Sequence, residues 1–151
     1  MKSAVTGLVA ILVGFVAVRL ILPSEVAATP ISFQNTPALS EAVAQAQSEG
    51  KAVVAVVTAD WCGPCQKLKG ETLSDPRVAG FIEAHALPVY LEDKADRDTI
   101  ASLQVTGYPT TLVFRDGEEI ARAPGYAPAA DYLAFLERTL GDSAAVVTPE
   151  G

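Results

Sequence analysis

The feature that most constrains the fold is a short, uninterrupted apolar run, AVVAVVT, at Ala52–Thr58. β-Branched residues dominate this run, which is typical of a strand covered on both faces of a sheet. A second apolar strand is predicted at Leu87–Leu91, after an intervening helical segment. Because strand–helix–strand units pair their strands in parallel through right-handed crossovers, the sequence predicts an α/β fold.

Capping and turn residues divide the rest of the chain. Ser74-Asp75-Pro76 joins a helix cap to a proline suited to the first turn, and Arg115-Asp116-Gly117 is typical of a hairpin. The hairpin adds antiparallel strands, so we expect a mixed central β-sheet flanked by helices on both faces. The further predicted elements are a helix capped by Thr36 with Pro37 at its first position and closed by Gly50, a helix from Pro64, a helix over Arg77–Ala84, a short helix capped by Asp96 or Asp98, strands Thr110–Phe114 and Glu118–Ala123, and a helix opened by Pro128.

Composition limits the classes of function. The chain has 151 residues, of which 50% are hydrophobic, so it fits one domain with a real core. Its formal net charge of −7 repels phosphate backbones, which argues against a nucleic-acid partner. Two cysteines cannot build a disulfide framework or a four-thiolate zinc site. We expect a monomer that needs no disulfide for stability.

The N-terminal segment 1–28 is predicted to be a signal peptide or a membrane anchor. Lys2 precedes an apolar stretch, and Val26-Ala27-Ala28 offers small residues for cleavage after Ala28. As a helix the stretch would span roughly 28 Å, against a bilayer core of about 30 Å. Either reading places the predicted domain, residues 30–141, in the periplasm, and an uncleaved anchor would tether it to the cytoplasmic membrane. Residues 142–151 are expected to form a flexible tail.

The motif Trp61-Cys62-Gly63-Pro64-Cys65 places two thiols where a predicted strand gives way to a helix. The first turn of a helix has unpaired N–H groups and about half a positive charge, which would stabilise a thiolate on Cys62. We therefore expect the pKa of Cys62 to fall below the roughly 8.5 of a free thiol. Cys62 would attack a substrate disulfide, and the more buried Cys65 would resolve the mixed disulfide. No cofactor beyond this redox-active disulfide is expected.

Other interpretations of the two thiols remain open. A structural disulfide is one, although a bridge that closes four residues constrains the unfolded chain by only roughly 2 kcal/mol. A zinc site would need His85 as a further ligand, a copper(I) site would use the two thiolates alone, and the thiols could also be inert and buried. The alternative function is therefore a non-catalytic binding module or a copper(I) chaperone.

WCGPC resembles the active-site motif of the thioredoxins, and the resemblance extends from Thr36 to Leu140. It includes Thr106-Gly107-Tyr108-Pro109-Thr110, and it implies that Pro109 is cis and faces the active site. It further implies that the backbone of Tyr108 pairs with an extended substrate, and that Gly125 leaves room for substrate near the thiols. Trp61, Gly63 and Pro64 complete the expected substrate-binding set, with Trp61 at its rim.

Two further segments, Ala59-Asp60-Trp61-Cys62 and Thr72–Val78, are similar to the periplasmic C-terminal domain of DsbD-type thiol:disulfide interchange reductases. This resemblance implies protein disulfides as substrates and an upstream membrane electron donor of DsbD type. The dipeptide Gly63-Pro64 matches the reducing type of motif. We therefore expect a reductase with a potential of about −200 to −270 mV, on the scale that places thioredoxin near −270 mV.

The sequence departs from the thioredoxin pattern at one buried position. Thioredoxins have an acid six residues before the first cysteine, and here that position is Val56, with the usual lysine partner falling near Tyr90. Asp60 and Glu71 are the candidate substitutes for the missing acid. The two nearby lysines, Lys67 and Lys69, could add positive potential at the site, but they are interpreted as solvated helix residues.

Overall fold

The computed structural model describes residues 26–141 of the chain. Within this range four strands alternate with five helices, as the hydrophobic pattern predicts. The elements are a 3-10 turn at Ile31–Phe33, α1 at Leu39–Glu49, β1 at Ala52–Thr58, α2 at Gly63–Lys67 continued by a π-helix at Leu68–Leu73, α3 at Pro76–His85, β2 at Ala86–Glu92, α4 at Arg97–Ser102, β3 at Thr110–Arg115, β4 at Glu118–Pro124 and α5 at Ala129–Leu140.

The sheet is mixed and has the strand order β2-β1-β3-β4. β1 pairs in parallel with β2 and antiparallel with β3, and β4 forms an antiparallel hairpin with β3. Every residue of β1 is buried, as a strand covered on both faces requires. The predicted mixed sheet is therefore confirmed.

Two apolar clusters lie on opposite faces of the sheet, because alternate strand residues point to opposite sides. On one face Val54 and Val56 pack with α3, α5 and the π-helix. On the other face Val53, Ala55 and Val57 pack with α1 and α4. The predicted flanking of the sheet by helices on both faces is confirmed.

The predicted start of the first helix is wrong. Helix α1 begins at Leu39 with Ala38 at the N-cap, and no side chain caps it. The Thr36 hydroxyl instead accepts a hydrogen bond from the backbone N–H of Tyr90, at 3.1 Å. Since β2 lies at the edge of the sheet, Thr36 satisfies a donor that no neighbouring strand reaches.

Local sequence signals correctly predict the start of α3 and the turn between β3 and β4. Asp75 caps α3 by accepting from the N–H of Arg77, at 2.9 Å, and Pro76 occupies the first turn. Asp116 and Gly117 both have positive φ angles, 53° and 86°, as a two-residue hairpin turn between twisted strands requires. Asp96 stands at the N-cap of α4, but its carboxylate accepts from the N–H of Glu92.

Within residues 26–141 no helix is long and apolar enough to span a bilayer. The predicted signal or anchor falls almost wholly outside this range, as does the predicted tail at 142–151.

Candidate active site

The two cysteines lie at the junction between β1 and α2, with their sulfur atoms bonded to each other and their Cα atoms 5.2 Å apart. Cys62 is the N-cap residue of α2, and its Sγ accepts a hydrogen bond from the N–H of Cys65, at 3.2 Å. Cys65 is fully buried, whereas Cys62 retains 5% exposure. The helix N-terminus therefore points at the sulfur that the sequence analysis assigned as nucleophile.

Trp61 is 67% exposed. Its indole N–H donates to the Asp93 carboxylate, at 2.8 Å, and its ring meets that of Tyr108 edge to face, with centroids 5.8 Å apart. Asp93 directly follows β2. Because β2 runs parallel to β1, its end lies beside the end of β1, and Asp93 there orients the Trp61 side chain next to the cysteines.

The loop before β3 also packs against the two cysteines. The Tyr108–Pro109 peptide is cis, as the resemblance implies. Pro109 is buried, and its carbonyl accepts from the N–H of Gly125, at 2.7 Å. Gly125 has a φ of 87°, a conformation that favours glycine. Tyr108 also packs against the buried cluster that contains Cys62 and Cys65.

The structure therefore brings Trp61, Tyr108 and the two cysteines together, while Gly125 is joined to them through Pro109. The residues between the cysteines, Gly63 and Pro64, are both exposed.

Gln66 is a site residue that the sequence analysis missed. Its amide N–H₂ donates to the carbonyl of Asp60, at 2.9 Å, and its Oε1 accepts from the N–H of Ala27, at 2.8 Å. It thus fastens the turn before Trp61 to α2 and to the segment preceding the 3-10 turn. No local sequence signal predicts the contact with Ala27, because that residue is 39 positions away along the chain.

A second missed feature is the carboxyl pair of Glu92 and Asp93. The adjacent Glu92 side chain, followed by the hydrogen bond from the Trp61 indole, holds the pKa of Asp93 below its ordinary value. One oxygen of each group, Glu92 Oε1 and Asp93 Oδ1, is buried without a hydrogen-bond partner.

The prediction that Lys69 is solvated is wrong. Lys69 is only 1% exposed, whereas the Lys67 side chain is 54% exposed, as predicted. The Lys69 ammonium lies 6.0 Å from the centroid of the Tyr90 ring. Its spacing of four residues from Cys65 could have indicated a shared helix face, but not burial.

The candidate substitutes for the missing acid lie at the surface. Asp60 is exposed, and Glu71 is exposed and bonded to the hydroxyl of Tyr126, at 2.9 Å. Val56, where thioredoxins carry the acid, is fully buried beside Tyr90 across β1 and β2.

Among residues 26–141, no three His, Cys, Asp or Glu side chains are grouped as a metal site would require. His85 ends α3 as an exposed residue, its ring stacked on Phe81 with centroids 4.2 Å apart. The zinc interpretation, which relied on His85, therefore has no support from the described residues.

A dithiol pair at a strand-to-helix junction, facing a cis-proline loop, places this fold and site in the thioredoxin class. The chain belongs to the thioredoxin-like family, because the model of the thioredoxin-like domain matches residues 39–140. It shares a CXXC pair, at Cys62 and Cys65, with the thiol:disulfide oxidoreductases of this family.

Its relatives include the thiol:disulfide interchange protein DsbD of Yersinia pestis, 37% identical over 119 residues, which are 72% of this chain and 20% of DsbD. The chain thus spans about a fifth of the length of the DsbD proteins it matches.

Solved structures of the same fold include a thioredoxin from Thermus thermophilus, with a TM-score of 0.63 and 28% identity, covering 72% of this chain and 87% of that one. The reduced C-terminal domain of Neisseria meningitidis DsbD has a TM-score of 0.58 and 23% identity, covering 67% and 93%. The resemblance to thioredoxin and to DsbD is confirmed.

Proposed function

We propose that this protein reduces protein disulfides outside the cytoplasm, with Cys62 as nucleophile and Cys65 as resolving cysteine. The observation that carries the proposal is the hydrogen bond from the Cys65 N–H to the Cys62 Sγ at the N-terminus of α2. The same donor and the helix dipole stabilise negative charge on that sulfur once the disulfide is reduced.

The proposed reaction has two exchange steps. The Cys62 thiolate attacks one sulfur of a substrate disulfide, a mixed disulfide forms, and the other substrate sulfur leaves as a thiolate that takes up a proton. Cys65, deprotonated, then attacks the Cys62 sulfur and releases the second substrate sulfur. Two electrons pass to the substrate, and the protein is left with the Cys62–Cys65 disulfide found here, so no further cofactor takes part.

The substrate would lie across the exposed rim of the site. In this proposal Trp61, Gly63 and Pro64 would contact the substrate on one side of the thiols, and Tyr108, Pro109 and Gly125 on the other; the packing of Tyr108 against the cysteines supports this. An extended substrate segment would pair with the backbone at Tyr108, as in β-strand addition. An exposed site of this kind suits a disulfide carried by another protein as substrate.

The similarity to DsbD supports two further parts of the proposal. The oxidised protein would be recharged by a membrane electron donor of DsbD type, whose dithiol supplies the two electrons. Residues 1–28 would direct the chain to the periplasm, as a cleaved signal or as an anchor in the cytoplasmic membrane. The rest of the chain would act as a monomer, with its folded domain over residues 30–141 and a flexible tail at 142–151.

The test is covalent trapping in the native compartment. We expect Cys65→Ser to accumulate mixed disulfides with substrate proteins, because resolution is blocked, and Cys62→Ser to accumulate none. Mass spectrometry of the trapped species would identify the substrates, and a mature N-terminus at Thr29 would exclude the anchor. The opposite trapping pattern would reverse the two cysteine roles.

An assay of insulin reduction by dithiothreitol distinguishes an enzyme from a non-catalytic binding module. The wild-type protein is expected to accelerate the reaction over the uncatalysed rate, and the double variant Cys62→Ser/Cys65→Ser is the matched control. An unaccelerated reaction, together with one equivalent of copper(I) retained through gel filtration, would favour the copper(I) chaperone instead.

A further inference from the structure

Lys69 is a buried cation that the proposed reaction has not used. Lysine is rarely buried to this extent unless it is paired, and Lys69 is 1% exposed. None of the ion pairs among residues 26–141 includes Lys69. Other groups around Lys69 must therefore offset the free-energy cost of burying its side chain.

The polar groups near Lys69 come from the two parallel strands. Its ammonium faces the Tyr90 ring, 6.0 Å from the centroid, at the outer limit of a cation–π contact. The Tyr90 hydroxyl accepts a hydrogen bond from the Thr58 hydroxyl, at 2.7 Å. Thr58 is fully buried at the end of β1, four residues before Cys62. These groups lie on the same sheet face as Val56, the position at which thioredoxins carry an acid.

Lys69 also follows the resolving cysteine by one helical turn. Cys65 lies in α2 and Lys69 in the π-helix that continues it, so a spacing of four residues keeps both on one side of the helix, and both residues are buried. Burial disfavours a thiolate on Cys65, and a nearby positive charge favours it.

We propose that Lys69 stabilises the thiolate of Cys65 electrostatically, as a positioning residue held by Tyr90 and Thr58. The inference rests on the proposed role of Cys65. In the resolving step, Cys65 releases its proton to solvent and attacks the Cys62 sulfur. The Cys62–substrate bond breaks, the Cys62–Cys65 bond forms, and the departing substrate thiolate takes up a proton. In this proposal Lys69 acts through its charge and takes no part in the proton transfer.

Other charged groups around the helix have partners of their own. On the same helix Lys67 and Glu71 form an exposed ion pair at 3.9 Å, and Tyr126, from the loop before α5, bonds to Glu71 and lies under Lys67. Beyond β2, the Asp93 carboxylate accepts the hydrogen bond from Trp61. Asp60 is exposed in the turn after β1. Except for Lys67, which the control variant replaces, all of these groups are present in every variant of the test below.

The test is a thiolate titration by absorbance at 240 nm in reduced Cys62→Ser, where Cys65 is the sole thiol. Adding Lys69→Met is expected to raise the titration midpoint by about one pH unit or more, as loss of an adjacent opposite charge predicts. Lys67→Met removes an exposed charge two residues away and is expected to shift the midpoint by far less. Lys69→Arg, which keeps the charge, is expected to stay near the parent.

Equal shifts for Lys69→Met and Lys67→Met, or no shift for either, would overturn the proposal. If Lys69→Met does not fold, as judged by circular dichroism, Lys69→Gln replaces it with the same expected shift. The titration needs no substrate or electron donor, so its outcome is independent of where the protein acts. Failure of the trapping experiment would instead count against the proposed reductase.

Discussion

At the scale of single residues, Cys62 combines two roles that usually belong to different side chains. It is the N-cap of α2 and, in the proposed reaction, the nucleophile. Serine also caps helices well, so Cys62→Ser is expected to keep the start of α2 while removing the thiolate. The loss of trapping by that variant would therefore report chemistry and not unwinding of the helix.

Asp93 is expected to control the environment of Trp61, the single tryptophan of the chain. Its lowered pKa implies that the carboxylate persists as the pH falls from 7 to about 4 and is lost only below that value. The fluorescence of the wild-type protein should therefore be constant down to pH 4 and change below it. In Asp93→Asn, which has no carboxyl group to titrate, the transition should be absent.

Glu119→Gln is the matched control for Asp93→Asn. Glu119 also has a lowered pKa, caused mainly by its hydrogen bond from Arg122, but it lies in the distant hairpin. The control should keep the fluorescence transition of the wild-type protein, and far-UV circular dichroism over the same range checks that the fold persists. A transition that survives in Asp93→Asn would assign it to another group.

The sequence identifies residues whose roles depend on local spacing, and it misses those that depend on tertiary contacts. Cys62 and Cys65 are recognisable because the pair and the helix start are adjacent in the chain. Asp93 and Gln66 reach the site through the parallel pairing of β1 with β2 and through the packing of the N-terminal segment. The burial of Lys69 likewise depends on a sheet face that its own helix covers.

At the scale of elements, strands are predicted to within a residue or two because apolar runs and turn residues coincide. Helix starts are harder to predict, because a capping side chain can hydrogen-bond to groups outside its own helix. Thr36 has the side chain and the following proline of an N-cap, yet it bonds to Tyr90 of β2. The π-helix at Leu68–Leu73 has no simple sequence signature, because its wider turn depends on how the segment packs.

Thr36→Val is expected to destabilise the protein by about 1 kcal/mol, because the partly buried Tyr90 N–H at the sheet edge loses its acceptor while the side chain keeps its shape. The measurement is the free energy of unfolding from urea titration. Thr106→Val, at an exposed threonine in the loop before β3, is the control and should leave the midpoint nearly unchanged. Equal effects for the two variants would mean that the Thr36 hydrogen bond contributes nothing.

At the scale of the whole molecule, the alternation of elements predicts a mixed sheet, but neither the strand order nor the contacts between distant parts of the chain. The parallel pair β1–β2 and the hairpin β3–β4 meet where β1 pairs with β3. The last helix, α5, returns across this sheet and places the Tyr132 hydroxyl 3.0 Å from the hydroxyl of Thr111 in β3. In the sequence, Tyr132 recurs at helical spacing with Leu136 and Leu140, which predicts that it lies on the apolar face of the helix. This pattern does not indicate a polar partner inside the core.

This buried hydroxyl pair is expected to stabilise the fold in a pH-dependent way. Burial raises the pKa of Tyr132 above its ordinary value, despite the opposing hydrogen bond with Thr111. A group whose pKa is raised in the folded state stabilises it fully below the unfolded value, about 10, and that stabilisation is lost as the pH rises beyond it. Tyr132→Phe, which lacks the ionising group, should therefore cost about 1 kcal/mol at pH 7 and progressively less above pH 10.

Urea unfolding of the wild-type protein, Tyr132→Phe, Thr111→Val and the double variant from pH 7 to 10.5 tests this. Because each single variant leaves one buried hydroxyl without its partner, the double variant should lose less than the sum of the two single losses. The other tyrosines and lysines titrate equally in wild type and Tyr132→Phe, so the difference between these two isolates Tyr132. Parallel pH curves for the two proteins, or strictly additive losses at pH 7, would show that the contact between α5 and β3 depends on apolar packing alone.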